Sequence, residues 1–377
     1  MKEEVFRLLN LKMKGEYWDS VDLDFLSDEQ EWSDDVFTSL IIGANGTGKS
    51  YVLSLIVDIF RDLQATRTES KFKGIKRSYT ITYQLNNNVF TIENDSKNKK
   101  RACRDHEEIT ISEVLLPKKI IASSFMVTDK FTYAESDMNQ SKFYEYLGIR
   151  GASTGTGTKT HLKKVGENII KSSTDPHFIN KLKFILSFLD IKSKMTIYFE
   201  VRKRKFFNDD INNRTFTDYF LNWRKRSDRI TEPFFVKHFN ALAENEISNL
   251  VDFLNRKEGS LSRINNRLIL KYELNLNEYE SNEEIRKDFE FIKKLMLLDV
   301  LSSPNIEIEK ETTFGLEYAS SGEYHFIFTM INILSNIEKN SLVLIDEPEM
   351  SLHPNWQVNY IGAIKKSFRD THLAILY

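Results

Sequence analysis

The chain has 377 residues, enough for about two or three ordinary domains or one large α/β domain with insertions. With 41% hydrophobic and 29% charged residues it is neither a disordered chain nor a membrane protein, and no apolar run approaches the ~18 residues of a membrane span. Lys and Arg total 53 against 55 Asp and Glu, a net charge of −2, so attraction to nucleic acid or membrane has to come from a local patch.

The opening Met1-Lys2-Glu3-Glu4 places acids before any apolar stretch, which argues against a signal peptide, and a cytoplasmic protein with no membrane partner is expected. Residues 5–11 and 20–25 alternate in character and predict two short strands, followed by an acidic loop over 28–35. Residues 36–42 are mostly apolar, as in a strand buried on both faces, and end at Gly43. From Gly48, the spacing of Leu53, Ile56, Val57, Phe60 and Leu63 predicts a helix packed on a sheet. Residues 79–83 and 89–92 flank Asn86-Asn87-Asn88 and predict a hairpin. Cys103 is the single cysteine, so no intrachain disulfide and no zinc-spaced cysteine cluster can form.

Residues 118–125 predict another strand. The run Gly151-Ala152-Ser153-Thr154-Gly155-Thr156-Gly157-Thr158 suits a flexible loop, a domain boundary or a segment ordered by ligand. From Asp175 to about Val300 the helical period dominates, with Phe178, Leu182, Ile185, Leu186 and Leu189 in one stripe and Phe289, Ile292, Leu295 and Met296 in another. Strands return at 306–308 and 341–345, and no internal repeat is present.

Chemistry concentrates in two places. Gly43-Ala44-Asn45-Gly46-Thr47-Gly48-Lys49-Ser50 matches G-x-x-x-x-G-K-[ST] between a predicted strand and a predicted helix, the context that motif requires. Glycines let backbone N–H groups converge on phosphate oxygens, the helix start adds positive potential, Lys49 adds a point charge and Ser50 can ligate Mg²⁺. Such a loop needs an acid at the end of a neighbouring strand, and 342–345 followed by Asp346-Glu347 supplies it. Asp346 is expected to hold the metal and Glu347 to polarise the attacking water. Burying two adjacent acids for structure alone would cost several kcal/mol without a compensating cation, roughly the price of an unpaired buried charge.

The run Leu342-Val343-Leu344-Ile345-Asp346-Glu347-Pro348-Glu349-Met350-Ser351-Leu352-His353-Pro354 resembles the Walker B and D-loop region of ABC-type ATPases of the overcoming-lysogenisation-defect (OLD) class, relatives of the RecF and SMC heads. Ala319-Ser320-Ser321-Gly322-Glu323 resembles their signature motif, although a Ser followed by Glu is also how an ordinary helix N-cap reads. The resemblance covers about 1–135 and 300–377. Within the middle, Ser124-Phe125-Met126-Val127-Thr128-Asp129-Lys130-Phe131 and Tyr144-Glu145-Tyr146-Leu147-Gly148 are similar to segments of PtuA-like anti-phage defence ATPases. It implies an α/β fold: a P-loop NTPase with an ABC-type head, a mixed β-sheet and a largely helical insertion. The expected division is a head over 1–135 and 301–377 and an insertion over 136–300, with a flexible loop at 151–159.

The resemblance further implies ATP and Mg²⁺ as cofactors. Two copies would pack head-to-tail, Ser320, Ser321, Gly322 and Glu323 of one facing ATP held by 43–50 of the other. Segment 118–131 has no glutamine where the family's Q-loop would be sought, leaving its role to Asp129, to another residue or to none. The strand at 373–376 should lead into a switch histidine; His372 lies on the wrong side of it and His353 belongs to the D-loop-like run. The expectation is a shortened protein, a fragment, or a head that turns ATP over slowly, with any nuclease or effector a separate partner.

Arg202-Lys203-Arg204-Lys205, beside Tyr198, Phe199, Phe206 and Phe207, combines phosphate-seeking charge with stacking faces and is a candidate DNA or RNA site. The alternative is a solvated strand edge or loop, since Lys and Arg commonly protect edges. Trp223-Arg224-Lys225-Arg226 with Arg229 forms a second cluster, and Lys97, Lys99, Lys100 and Arg101 a weaker one. The functional expectation is an ATPase that dimerises around ATP and switches an effector complex in anti-phage defence. Its alternatives are a RecF/SMC-like DNA-repair ATPase and a nucleotide-gated scaffold with little turnover; the absence of sustained heptads argues against a long SMC-type coiled coil.

Overall fold

A computed structural model describes residues 6–14, 20–25, 37–70, 72, 74–95, 97, 99–124, 126, 128–132, 143–148, 158–207, 211–222, 233–350, 352–368 and 374–376. The chain forms two compact units, 1–156 with 321–377, and 157–320. The acidic loop at 28–35, most of the Gly/Ser/Thr run, the Trp223–Arg229 cluster and His372 lie outside the described residues.

The first unit opens with β1 (Arg7–Met13), β2 (Val21–Asp24), β3 (Phe37–Ser39), α1 (Lys49–Arg67), β4 (Tyr79–Leu85), β5 (Asn88–Asn94), β6 (Lys100–Arg104), β7 (Glu107–Ile109), β8 (Ile120–Ser124) and β9 (Tyr144–Tyr146). Six of these strands form an antiparallel sheet in the order β2-β1-β4-β5-β6-β7. In β4 the alternation is complete, with Tyr79, Ile81, Tyr83 and Leu85 buried. The β4–β5 hairpin turns on Asn86 and Asn87, at φ 53° and 64°, the left-handed pair that a tight hairpin turn demands. Asn88 already belongs to β5, opposite Leu85. The α1 stripe of Leu53, Ile56, Val57, Phe60 and Leu63 is buried in the same core as this sheet. Phe6, Phe60, Tyr83 and Phe90 pack there with ring centroids 5.7, 5.2 and 5.5 Å apart along the chain of contacts.

The second unit contains α2 (Thr158–Lys171), α3 (Pro176–Phe188), β10 (Lys194–Glu200), α4 (Asn213–Leu221), α5 (Phe234–Asn240), α6 (Glu244–Lys257), β11 (Leu261–Ile264), β12 (Arg267–Asn275), α7 (Glu283–Leu297), β13 (Asn305–Glu309) and β14 (Thr313–Gly315). Both predicted stripes are buried apart from Met296, which is half-buried. To these helices the structure adds a five-stranded antiparallel sheet, ordered β11-β12-β10-β13-β14. The helical period had obscured its first three strands. In β10, Met195, Ile197 and Phe199 alternate inward, and the β11–β12 turn uses Asn265 and Asn266 at φ 46° and 63°, the same two-asparagine device as Asn86-Asn87.

The first unit resumes with α8 (Ser321–Asn336), β15 (Leu342–Asp346), α9 (Pro354–Ser367) and β16 (Ala374–Leu376). A parallel sheet runs β3-β16-β15-β8-β9. All of β15 is buried, as a strand covered on both faces must be. Leu342 and Leu344 join the core that holds α1, and by alternation Val343 and Ile345 face the other way. The expectation of a doubly buried strand over 36–42 is corrected: β3 spans three half-buried residues, while Leu40 is 49% and Ile42 83% exposed. β3 is an edge strand among the described residues with β16 as its neighbour, and residues 40–42 lie past the end of its ladder. No helix among the described residues is long and apolar enough to cross a membrane.

Removing the Phe60 ring opens a cavity between α1 and the antiparallel sheet. Phe60→Ala is expected to destabilise the first unit by about 3–5 kcal/mol in chemical denaturation.

Candidate functional site

β3 continues through 40–42 into the loop Gly43-Ala44-Asn45-Gly46-Thr47-Gly48, and α1 starts at Lys49. Gly46 and Gly48 have φ of 84° and 95°, where a side chain would be strained. Thr47 ties the loop: its N–H and Oγ1 both donate to Ala44 O, at 3.3 and 2.9 Å. The Val52 N–H bonds to Gly48 O at 3.0 Å, so the earlier amides of α1 lie beyond reach of the helix's own carbonyls. Loop and helix start together form a curved cradle of positive potential.

Lys49 folds over this cradle, its Nζ donating to Gly43 O at 2.9 Å and Ala44 O at 3.4 Å and standing 3.9 Å from Glu347 Oε1. Ser50 Oγ donates to Asp346 Oδ1 at 2.8 Å, across 296 residues of sequence. Asp346 ends β15 and is 3% exposed. Burial raises its carboxyl above the ordinary range, Asp129 and Glu349 add to the rise, and the Ser50 hydrogen bond and Lys49 charge oppose it. Glu347 follows at φ 51°, a left-handed conformation that costs a non-glycine residue about 1–3 kcal/mol and recurs at functional sites. Its carboxyl is raised first by a hydrogen bond with Glu349, then by partial burial, against the pull of Lys49. Glu349 was given no role from sequence, although three acids within Asp346-Glu347-Pro348-Glu349 were the available signal.

The structure thus brings Gly43–Ser50, Asp346 and Glu347 together. Ser320 and Ser321 are exposed, with Ser321 opening α8; Gly322 is buried and Glu323 half-buried. Asp129, 5% exposed, lies near enough to Asp346 to act on its charge. His353 caps α9, its Nδ1 accepting from the Asn355 N–H at 3.3 Å.

The donor set fits a nucleotide with its metal. Among the described residues no group of three or more His, Cys, Asp and Glu could hold a metal ion. Ser50 and Asp346 instead form a two-oxygen corner beside a phosphate cradle, which suits Mg²⁺ that keeps phosphate and water as its other ligands.

The basic run lies apart from these residues in sequence and is satisfied locally. Arg202 and Lys203 both pair with Asp299, the latter at 3.1 Å. Arg204 Nη2 donates to Asn266 O at 2.8 Å, and Lys205 Nζ sits 3.5 Å from the centroid of the Tyr219 ring. Burial raises the Asp299 carboxyl, but hydrogen bonds from Arg202 and Lys203 outweigh it and leave the group below its ordinary range.

Two outcomes follow from these charges. Above its unfolded pKa of about 3.9 the raised Asp346 carboxyl works against the folded state, since the fold binds more protons than the unfolded chain and stability falls as pH rises through that window. Asp346→Asn should therefore raise the thermal midpoint of the ligand-free protein at pH 7 and lose that advantage toward pH 3. Asp299 has the opposite sign: its stabilisation is present above the unfolded pKa and lost as pH falls. Arg202→Ala with Lys203→Ala should lower the midpoint at pH 7 more than at pH 3.

A family model described as an AAA ATPase domain matches residues 19–372. Similar solved structures include an Smc head domain with an extended coiled coil bound to the C-terminal domain of ScpA, from Pyrococcus furiosus, at 14% identity, 99% of this chain and 89% of that one, TM-score 0.34. An Smc head domain with a coiled coil and joint from Pyrococcus yayanosii gives 14% identity, 98% and 92% coverage and TM-score 0.34. The recombination mediator protein RecF-ATPrS gives 11%, 100% and 93%, with TM-score 0.32. No curated protein matches the chain. With the family model spanning both segments that build the site, the chain belongs to the AAA ATPase domain family.

Proposed function

We propose that this ATPase binds ATP with Mg²⁺ at Gly43–Ser50 and hydrolyses it slowly between two copies packed head-to-tail, using the cycle to switch an effector complex. The observation that carries the proposal is the Ser50–Asp346 hydrogen bond at 2.8 Å, with Lys49 3.9 Å from Glu347 beside it. Two residues of the loop thereby meet two consecutive acids of β15. Bound Mg-ATP supplies the phosphoryl group and the metal's charge. Lys49 and the loop amides would hold phosphate, Ser50 and Asp346 the metal, and Glu347 would orient water and accept its proton.

Glu347 suits that task because its carboxyl is held above the ordinary range by Glu349, closer to the pKa of a useful base, while Lys49 keeps the charged form accessible. Ser320 and Ser321, exposed at the start of a 16-residue helix, are available to the γ-phosphate of ATP on a second copy. The resemblance of 124–131 and 144–148 to PtuA-like ATPases supports anti-phage defence with a separate nuclease as the biological setting. The local partners of Arg202, Lys203, Arg204 and Lys205 favour an effector that is protein over direct DNA binding.

Glu347→Gln should retain ATP and lose hydrolysis by about 10²-fold or more. Light scattering on this variant should show a doubling of mass with Mg-ATP and none with Mg-ADP at matched concentration. Equal masses with both nucleotides would remove the ATP-dependent pair, and turnover stimulated by duplex DNA would move the reading to a RecF- or SMC-like repair ATPase.

A further inference from the structure

The five-stranded sheet of the second unit buries one face, where Met195, Ile197 and Phe199 of β10 and Ile306 and Ile308 of β13 point inward. The opposite face carries charge. Thr196 stands across from Glu273 on β12 and Glu307 on β13, Tyr198 stands across from Lys271 and Asn305, and Glu200 follows two residues on. Three acids of this face have a cation of their own: Glu200 accepts from Arg267 at 2.6 Å, Glu273 from Lys271 at 2.7 Å, and Glu309 pairs with Lys192. Lys194, at the start of β10, acts on Glu273. Glu307 and Glu317 have no such partner: among the described residues neither makes an ion pair or a side-chain hydrogen bond.

These two acids lie side by side. Glu307 is opposite Gly315 in the β13–β14 ladder, and the Glu317 carboxylate folds back over that glycine, its Oε2 2.5 Å from where a Cβ would stand. Two aromatic rings join them. Tyr198 is diagonal to Glu307 across the β10–β13 ladder, a spacing that long side chains bridge. Its phenol is raised above the ordinary range by burial and then by Glu307, Glu317, Glu200 and Tyr318. Tyr318 ends a short 3₁₀ turn, Leu316–Tyr318, that is anchored by buried Leu316 and closed by the Ala319 N–H on Leu316 O at 3.2 Å. Its ring is 79% exposed on that fixed base. A cavity of about 470 Å³ continues the face, with Thr196, Glu273, Glu307 and Glu309 in its lining.

We propose that Glu307, Glu317, Tyr198 and Tyr318 form a clasp for an arginine side chain of a partner protein, and that the outer face of this sheet is where that partner docks. Charge complementarity selects the occupant. Two adjacent carboxylates without a cation suit the two-pronged donation of a guanidinium, and phenol faces suit its flat, weakly hydrated plane. A bound arginine also removes the like-charge repulsion between the two acids. Nucleic acid would be repelled by the same pair. The clasp extends the reading of a protein effector given above and uses none of the residues that would hold nucleotide.

Fluorescence anisotropy of fluorescein-labelled nona-arginine with the full chain, without nucleotide, tests the clasp, and nona-lysine serves as the equally charged probe. Glu307→Gln with Glu317→Gln should raise the Kd for nona-arginine by about 10-fold or more, because two charged hydrogen-bond acceptors are lost. Tyr318→Ala should raise it by about 3-fold, the scale of an exposed cation–π contact, and should affect nona-lysine less. Glu244→Gln with Glu290→Gln removes the same charge from exposed positions on α6 and α7 and should leave both values within about 2-fold of the unmodified chain. Equal losses in the two double variants overturn the clasp, as does a chain that binds nona-arginine no more tightly than nona-lysine. A mass by light scattering that falls in Glu307→Gln with Glu317→Gln, again without nucleotide, assigns the face to a second copy and overturns the partner protein. The substituted side chains are exposed or half-buried, so each variant should keep its cooperative thermal transition. With no nucleotide present, failure of the clasp leaves the Mg-ATP reading standing.

Discussion

A hydroxyl at the start of one helix meeting a carboxylate at the end of one strand is the contact on which the site depends. Ser50 and Asp346 come from segments separated by the whole second unit, and their 2.8 Å hydrogen bond exists because α1 and β15 share a core with the antiparallel sheet. The parallel sheet sets where β15 ends, and the glycine loop sets where α1 begins. Everything else at the site is arranged around that meeting: Lys49 leans toward Glu347, Glu347 is turned left-handed just past the strand, and Glu349 raises its carboxyl from the next turn.

The same arrangement explains why the ligand-free site carries electrostatic tension. Asp346 is almost wholly buried, with Asp129 and Glu349 pressing its charge and only Ser50 and Lys49 relieving it. The acids Asp299, half-buried, and Asp346, buried, therefore behave in opposite ways. Asp299 has two cations of its own chain against it and is settled, whereas Asp346 is short of positive charge in a place where a cation would complete it. Such a deficit is what a functional site looks like when stability alone does not dictate its charges.

Elements whose pattern is local were legible from the residues. The α1 stripe, the β4–β5 hairpin and the apolar run of β15 are each written in a single period or turn signal, and Lys49 and Ser50 of the loop motif lie beside Glu347 and Asp346 in space. What escaped reading depended on tertiary partners. β10 and β12 alternate correctly but are embedded in a stretch dominated by helices, and Leu40 and Ile42 are apolar yet exposed, past the end of the edge strand β3. The basic run could not be weighed without seeing Asp299, Asn266 and Tyr219, which arrive from distant parts of the second unit. Tyr146 and Gly148 belong to a segment read only by resemblance, and that the phenol lies in the glycine's vacant side-chain space is visible only in three dimensions.

The order of the parallel sheet has a consequence for how the protein comes into being. β3, which delivers the phosphate loop, pairs with β16 and not with β15 or β8, so an emerging chain on the ribosome holds the loop's strand without its neighbour through the synthesis of the entire second unit. The antiparallel sheet and α1 can consolidate early from nearby sequence, while insertion of β16 between β3 and β15 must come late and closes a very long loop. Until then two strand edges stand open, and β15 is apolar over its first four residues, the kind of surface that chaperones shield. The strand that delivers the glycine loop is thus locked into its sheet only after β16 has been made, however early the loop itself emerges.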